Sequence, residues 1–323
     1  MIMKLVRACL AGMLLGFASF AAAQSYPSGP ITLIIPLAAG DATDIAARVI
    51  GAALERELKV PIVPLNRPGA GGSLGTSLLA KAAKDGSTLG IPNNAALIYR
   101  AILEPQVATY NALTDLTPLA LAMRSPSILV VNAELPYRTF GEMVDFAKKN
   151  PGKVRIGTAG VGSVGDFCLQ VINRLTGAGL VMVPFTGAAP SVNAMRGGHI
   201  EGVILALGTM TAHLASGAVR GLVISTKWPD YPNIPTMAEL GYSQPLFGVW
   251  TGIFAPAGLP KEVASVLEPA LKQAISAPEV AAHLKPLGIV ADYAPPEKMV
   301  AEMRDEERRV REIAVAAGLI KQK

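Results

Sequence analysis

Ile31-Thr-Leu-Ile-Ile-Pro36-Leu-Ala-Ala-Gly40-Asp-Ala-Thr-Asp44-Ile-Ala-Ala-Arg48-Val-Ile50 joins a short apolar run to a glycine turn and then to a helical period. Ile31 to Pro36 reads as a buried strand, because a continuous apolar run of that length bounded by turn residues suits a strand covered on both faces. Ala42 to Leu58 reads as a helix, with Ile45, Val49, Leu54 and Leu58 close to one face. The unit recurs on either side of a break. Val60 to Val63, Thr88 to Ile91 and Leu119 to Met123 read as further strands, with a helix from Ser73 to Ala83. After Pro126 come strands Ile128 to Val131, Val154 to Gly157, Val181 to Phe185, Ile200 to Leu205 and Leu222 to Ser225. Helices Thr139 to Asn150, Ser163 to Thr176 and Pro190 to Arg196 lie between them, the first opened by the capping box Thr139-x-x-Glu142. A C-terminal block adds a short helix capped by Thr236-x-x-Glu239, strand Val249 to Ala255, helix Pro260 to Ser276 and a long helix Pro296 to Ala317. Alternating strands and helices specify α/β layers. The irregular stretches Arg124 to Pro126 and Lys227 to Pro235 predict two crossings between lobes, with a cleft over a two-strand hinge. The predicted lobes are residues 24–124 with 230–323, and residues 125–229.

Composition narrows the function. The chain has 323 residues, 51% hydrophobic and 16% charged, so it can bury enough apolar surface to offset the entropy of ordering, which excludes disorder. Lys4 and Arg7, the apolar Ala8 to Phe20, and Ala21-Ala22-Ala23 form a secretory signal peptide, predicting cleavage near Ala23/Gln24 and a periplasmic protein. Past it, apolar segments are too short and too broken for a bilayer-spanning helix. The formal charge of +5 falls to +3 without Lys4 and Arg7, and no stretch interleaves cations with aromatics, so nucleic acid is not an expected partner. Cys9 belongs to the signal, leaving Cys168 without an intramolecular disulfide partner.

Several strings resemble catalytic motifs, and their context decides each. Gly160-Val-Gly162-Ser-Val-Gly165 matches a dinucleotide fingerprint, but the acid that should grip the ribose is absent, the first one after the next strand being Glu201. Gly71-Gly-Ser73-Leu-Gly75 matches a nucleophile elbow, with Asp230 and His283 downstream. That reading is a secreted serine hydrolase using Ser73. It lacks the strand that should run directly into the serine, so Ser73 reads better as a helix N-cap. His199, His213 and His283 have no partners at metal-ligand spacing, and neither a metal nor a cofactor is expected. Trp228 and Trp250 read as core or lobe-contact residues. Two similar loops remain, Pro36 to Asp44 and Gly157 to Ser163. As ordinary βα turns they need no ligand; as a clamp, one from each lobe, they offer backbone N–H groups and helix dipoles to a small carboxylate. The export signal, the two crossings and the lack of catalytic sets favour the clamp.

The ordered strings Tyr26-Pro-Ser-x-Pro30-Ile, Ile35-Pro-Leu-Ala-x-Gly40-x-x-Thr43-Asp44-x-x-Ala47-Arg48, Asn66-Arg-Pro-Gly-Ala-Gly-Gly72-x-x-Gly75, Lys84-Asp-Gly86-x-Thr88-Leu, Asn150-Pro-Gly-Lys153, Val183-Pro-Phe-x-Gly187-x-x-Pro190, Ile234-Pro-Thr236-x-x-Glu239-x-Gly241 and Phe254-Ala-Pro-Ala-Gly258-x-Pro260 run through the whole mature chain. Together they resemble the Bug-type (TctC-like) solute-binding proteins of tripartite tricarboxylate transporters. The resemblance implies two Rossmann-like lobes closing on a small organic acid, as in periplasmic binding proteins, without catalysis. It also implies delivery to membrane permease subunits by a monomeric receptor, with a sensory binding partner as the alternative role. The implied ligand-binding residues are Leu37, Ala38, Ala39, Gly40, Asp41 and Thr43 in the first loop, and Thr158, Ala159, Gly160, Gly162 and Ser163 in the second. Thr186 and Gly187 lie beside them. The sequence departs from the family pattern at Asp41, where Pro-Gly-Gly is usual for Ala39-Gly40-Asp41, and at Leu205-Ala206, where an Asp-Asn pair is common. Asp41 serves equally well as the N-cap of its helix or as an acid facing the ligand, and Leu205 makes its own spot apolar.

Overall fold

The computed structural model describes residues 26–106 and 109–321. The predicted signal peptide, with Cys9, lies outside the described residues. β1 (Ile31–Ile35) runs into α1 (Ala42–Leu58), followed by β2 (Ile62–Asn66), α2 (Ser73–Ala80) and β3 (Thr88–Gly90). A π turn over Ala95–Tyr99 continues into α3 (Arg100–Leu103) and then β4 (Leu116–Ser125). The next set is β5 (Ser127–Asn132), α4 (Phe140–Lys149), β6 (Arg155–Thr158), α5 (Val164–Thr176), β7 (Val181–Pro184), α6 (Ala188–Arg196), β8 (Gly202–Ala206), α7 (Leu207–Ala215) and β9 (Val219–Ile224). β10 (Val249–Pro256), α8 (Lys261–Ser276), α9 (Pro278–Leu284), β11 (Val290–Ala294) and α10 (Pro296–Ala316) complete the chain.

The helices end where local chemistry says they must. Asp41 caps α1 by accepting from the Thr43 amide, and Lys59 closes it in the left-handed region. Thr139 and Glu142 form the full reciprocal capping box on α4, and Gly177 stops α5 with φ 65°. Such caps are each worth about 1 kcal/mol. The expected helix after Thr236 is instead a turn. Its capping bonds are present, from the Thr236 amide to Glu239 Oε2 and from the Glu239 amide to Thr236 Oγ1. Gly241, at φ 84°, reverses the chain before a second turn of helix can form. The sequence reading also passed over α3, α7, α9 and β11.

Two mixed sheets result. One has the order β11-β4-β10-β3-β1-β2, the other β7-β6-β8-β5-β9. β1 is parallel to β2 and β3, and β6 is parallel to β7 and β8. Each crossing delivers the chain into the other sheet as an antiparallel strand: β5 beside β8 and β9, and β10 beside β3 and β4. The crossings lie side by side, since the Ser127 amide donates to Ser225 Oγ and the Ser225 amide to the Ser127 carbonyl. Ser125 Oγ ties the same point to the Gly288 carbonyl.

Ile31, Leu33, Ile35, Ile50, Leu54 and Leu89 are almost fully buried around the first sheet. Each contributes roughly 1.5–3 kcal/mol of apolar burial. Behind the hinge the core is continuous, because Phe167 of α5 packs on Tyr99 and Phe247 at ring-centroid distances of 5.2 and 5.7 Å. No helix among the described residues is long and apolar enough to cross a membrane.

Candidate functional site in the interlobe cleft

The loops after β1 and β6 are built to one plan. In the first, the N-cap Asp41 follows Gly40 (φ 82°), and Asp44, three residues beyond the cap, accepts from the Gly40 amide. In the second, the N-cap Ser163 follows Gly162 (φ 71°), and Asp166 accepts from the Gly162 amide. Only glycine takes such a left-handed turn without strain. Each acid is in turn held from the helix: Asp44 by Arg48 and Asn66, Asp166 by Gln170. Burial pushes the Asp44 carboxyl up, but the bonds from Arg48, Asn66 and Gly40 outweigh it and hold the group below its usual range. For Asp166 burial wins and the pKa is raised.

These bonds change which amides are free. Gly40 and Gly162, read from the sequence as presenting open N–H groups, spend theirs on Asp44 and Asp166. What remains is the first turn of each helix, where N–H groups lack intrahelical acceptors, with the positive end of the dipole behind them. Val164 and Gly165 of α5 are in that position and line a cavity shared by the two lobes.

The cavity is walled by Leu37, Asp41, Gly71 and Asn93 from one side and by Ser127, Ala159, Ser163 to Gly165 and Ile204 to Ala206 from the other, with Val249 at the hinge. Its volume is ≈ 30 Å³, so its walls stand close together. Three contacts show the closure. A Cβ built on Gly71 would lie 3.5 Å from the Val161 carbonyl oxygen, and one built on Gly187 would lie 3.2 Å from the Ala38 Cβ. The third is a bond across the cleft, from Nη1 of the buried Arg100 to the Val161 carbonyl.

The sequence model of the tripartite tricarboxylate transporter family receptor, TctC, matches residues 46–319. The chain belongs to this family. BugT of Bordetella pertussis is 32% identical over 297 residues, covering 91% of each chain. The periplasmic binding protein BugD superposes with a TM-score of 0.87 at 28% identity, over 92% of this chain and all of its own (100%). MatC from Rhodopseudomonas palustris, solved with bound malate, gives 0.84 at 29% identity over 89% of this chain and 99% of its own. These likenesses bear out the α/β fold of two Rossmann-like lobes around a cleft.

Within this TctC receptor the sequence-chosen residues fall into distinct places. Leu37, Asp41, Ala159, Ser163 and Leu205 line the cavity. Ala38 and Gly187 meet across the lobes. Ala39, Gly40 and Thr186 are exposed and stand off the cavity wall. Thr158 is buried and holds Gly160 through both its amide and its carbonyl, and Thr43 is buried too. Gly162 sits under Arg100. Asp41 combines the two roles left open by the sequence: it caps α1 and it forms cavity wall. Gly71, Asn93, Ser127, Val164, Gly165, Ile204, Ala206 and Val249 are cavity residues outside the expected ligand set. Gly71, Gly165 and Ala206 stand in strings that the sequence marks, but no local signal marks the others.

The remaining motifs resolve into packing. Gly165 completes G-x-G-x-x-G because a Cβ there would fall 2.3 Å from the Ile204 carbonyl oxygen, so α5 could not seat against β8. Ser73 is the first residue of α2 and not its cap, which is Gly72. Among the described residues its buried hydroxyl has no histidine as a hydrogen-bond partner to act as its base. A larger cavity of ≈ 680 Å³ opens at the hinge, lined by Trp228, Phe247, Trp250 and Arg309 among others. Three of its cations are already paired, Arg124 with Asp292 and Glu302, Lys227 with Glu239 and Arg309 with Asp305. The smaller interlobe cavity, with unspent donors, is the better anion receiver despite its size.

Proposed function

We propose that this protein is a periplasmic solute-binding receptor that captures a small organic carboxylate between its lobes and passes it to the membrane permease subunits of a tripartite tricarboxylate transporter. The lobes are residues 24–124 with 230–323, and residues 125–229. The receptor acts as a monomer, without cofactor and without catalysis, after removal of the signal near Ala23/Gln24. One observation carries the reading: two helix N-termini, from different lobes, converge with their glycine loops on a single cavity. Helix dipoles and unpaired amides there favour a carboxylate over a neutral solute. The ligand-binding set is Leu37 to Asp41 and Thr43, Thr158 to Gly160, Gly162, Ser163, Thr186, Gly187 and Leu205. The Ser73 hydroxyl, with no histidine partner among the described residues, speaks against the hydrolase alternative.

A thermal-shift screen of small carboxylates tests the proposal. A ligand at a hundred times its dissociation constant stabilises the native state by ~2.7 kcal/mol. Ser73→Ala should respond to the same acid equally and with no change in ester hydrolysis. A screen in which no acid shifts the transition, or a hydrolytic rate abolished by Ser73→Ala, refutes the receptor reading.

A further inference from the structure

Among the residues that wall the interlobe cavity, Asp41 is the one ionisable side chain, and no cation joins it. Its Oδ1 accepts from the Thr43 amide, and the Thr43 hydroxyl also helps to stabilise the ionised carboxylate. The same cavity holds donors without acceptors. The Ser127 hydroxyl is 1% exposed and has no hydrogen-bond partner among the described residues. Asn93 commits its carbonyl oxygen to the Ala96 amide, and its NH2 group has no partner among the described residues. The first-turn amides of Val164 and Gly165 add two more. Ile204, Leu205 and Val249 are apolar. The wall therefore has a donor set that suits one carboxylate and a single charged acceptor, Asp41, that suits a donor.

We propose that Asp41 sets selectivity: the cleft takes a carboxylate of one negative charge that also bears an N–H or O–H donor, and it disfavours dicarboxylates. The inference rests on the carboxylate-receptor reading above. A second ligand carboxylate would meet either Asp41, a like charge, or the apolar patch around Leu205, and both are unfavourable in a closed, dry site. A ligand N–H or O–H adds a donor to a carboxylate that otherwise meets only the amide and hydroxyl of Thr43. The neighbouring charge on the same helix is Asp44, already held by Arg48 and Asn66. From α5, β5, β8 and β10 the cavity wall presents Ser163, Val164, Gly165, Ser127, Ile204, Leu205 and Val249, none of them charged. Burial raises the Asp41 carboxyl to about 6, so it is ionised and accepting at neutral pH.

The test uses four matched four-carbon acids, butyrate, 3-hydroxybutyrate, 4-aminobutyrate and succinate, titrated calorimetrically at neutral pH. The proteins are wild type, Asp41→Asn and Asp41→Ser; both substitutes are good helix caps, and two variants guard against misfolding of one. In wild type a donor-bearing monoacid should bind about tenfold or more tighter than butyrate and succinate, the range of a hydrogen bond to a charged group. In either folded variant that lead over succinate should shrink by about tenfold. A wild type that prefers succinate, or variants with the wild-type ranking, overturns the role of Asp41 and leaves the receptor reading standing. Failure of all these acids and of their homologues up to eight carbons to bind any of the proteins overturns the receptor reading itself, and this inference with it.

Discussion

Gly162→Ala is the smallest change that should open the cleft. A Cβ on Gly162 would lie 2.5 Å from Arg100 Cδ and 2.9 Å from Nη1, the nitrogen that donates to Val161 across the lobes. Arg100 is flexible enough to move, but only by surrendering that bond. A hydrogen bond from a charged donor is worth about 1.5–3 kcal/mol, and one tenfold in affinity is ~1.4 kcal/mol. Closure, and with it ligand affinity, should therefore weaken about 10- to 100-fold. The alanine also pays for φ 71°, about 1 kcal/mol, in the open and closed forms alike, so it lowers the melting temperature without adding to the loss of affinity. Small-angle scattering should give a larger radius of gyration for the variant at matched ligand excess. Titration with the acid found in the thermal-shift screen should give the weaker affinity. Arg100→Ala removes the same bond, so adding Gly162→Ala to it should cost almost nothing more in affinity, the non-additivity of a shared contact. Wild-type affinity and dimensions in Gly162→Ala would falsify the latch.

Two further outcomes follow from buried acids. Asp41 has a folded pKa of about 6 against an ordinary carboxylate value, so the folded protein holds a proton that the unfolded chain gives up between about pH 4 and 6. Stability should fall as pH rises through that window, and the melting-temperature advantage of Asp41→Asn over wild type should grow from pH ~4 to ~7; a difference independent of pH would contradict the assignment. Glu306, 6% exposed, accepts from Asn94 Nδ2, the Tyr99 hydroxyl and Trp250 Nε1 at 2.8, 2.6 and 2.6 Å. Glu306→Ala strands two buried donors, Tyr99 and Trp250, while Asn94 keeps its bond to the Gly248 carbonyl, and it should cost about 2 kcal/mol or more in urea unfolding, whereas a loss below about 1 kcal/mol would mean that water replaces the carboxylate.

The parts of this fold that were legible in sequence are those governed by neighbours in the chain. Ala42–Leu58 was bounded to the residue because Asp41 and Lys59 cap it from either side, and Thr139 with Glu142 announced α4. α7 escaped because it follows β8 without a loop and has no capping side chain at Ala206. β11 escaped as a short, half-exposed edge strand. The site divides in the same way. Gly40 and Gly162 were recognised from turn chemistry, but the loss of their amides to Asp44 and Asp166 depends on where an acid three residues past the cap points. Asn93, Ser127 and Val249 reach the cavity from segments far apart in sequence, so only the closing of two sheets at a hinge brings them together.

The exchange of strands at the crossings also has a consequence for the order in which the molecule can be made. The second sheet draws all its strands from residues 127–224, one unbroken stretch. The first cannot join β3 to β4 until β10 arrives, more than a hundred residues after β4 has emerged. A chain threading through a membrane from its N-terminus would thus present the first sheet's leading strands while their central partner is still on the far side. Loop closure over that distance carries an entropic cost that grows slowly with length but delays every contact that depends on it. In such a passage the half that leads would be the last to become a folded body.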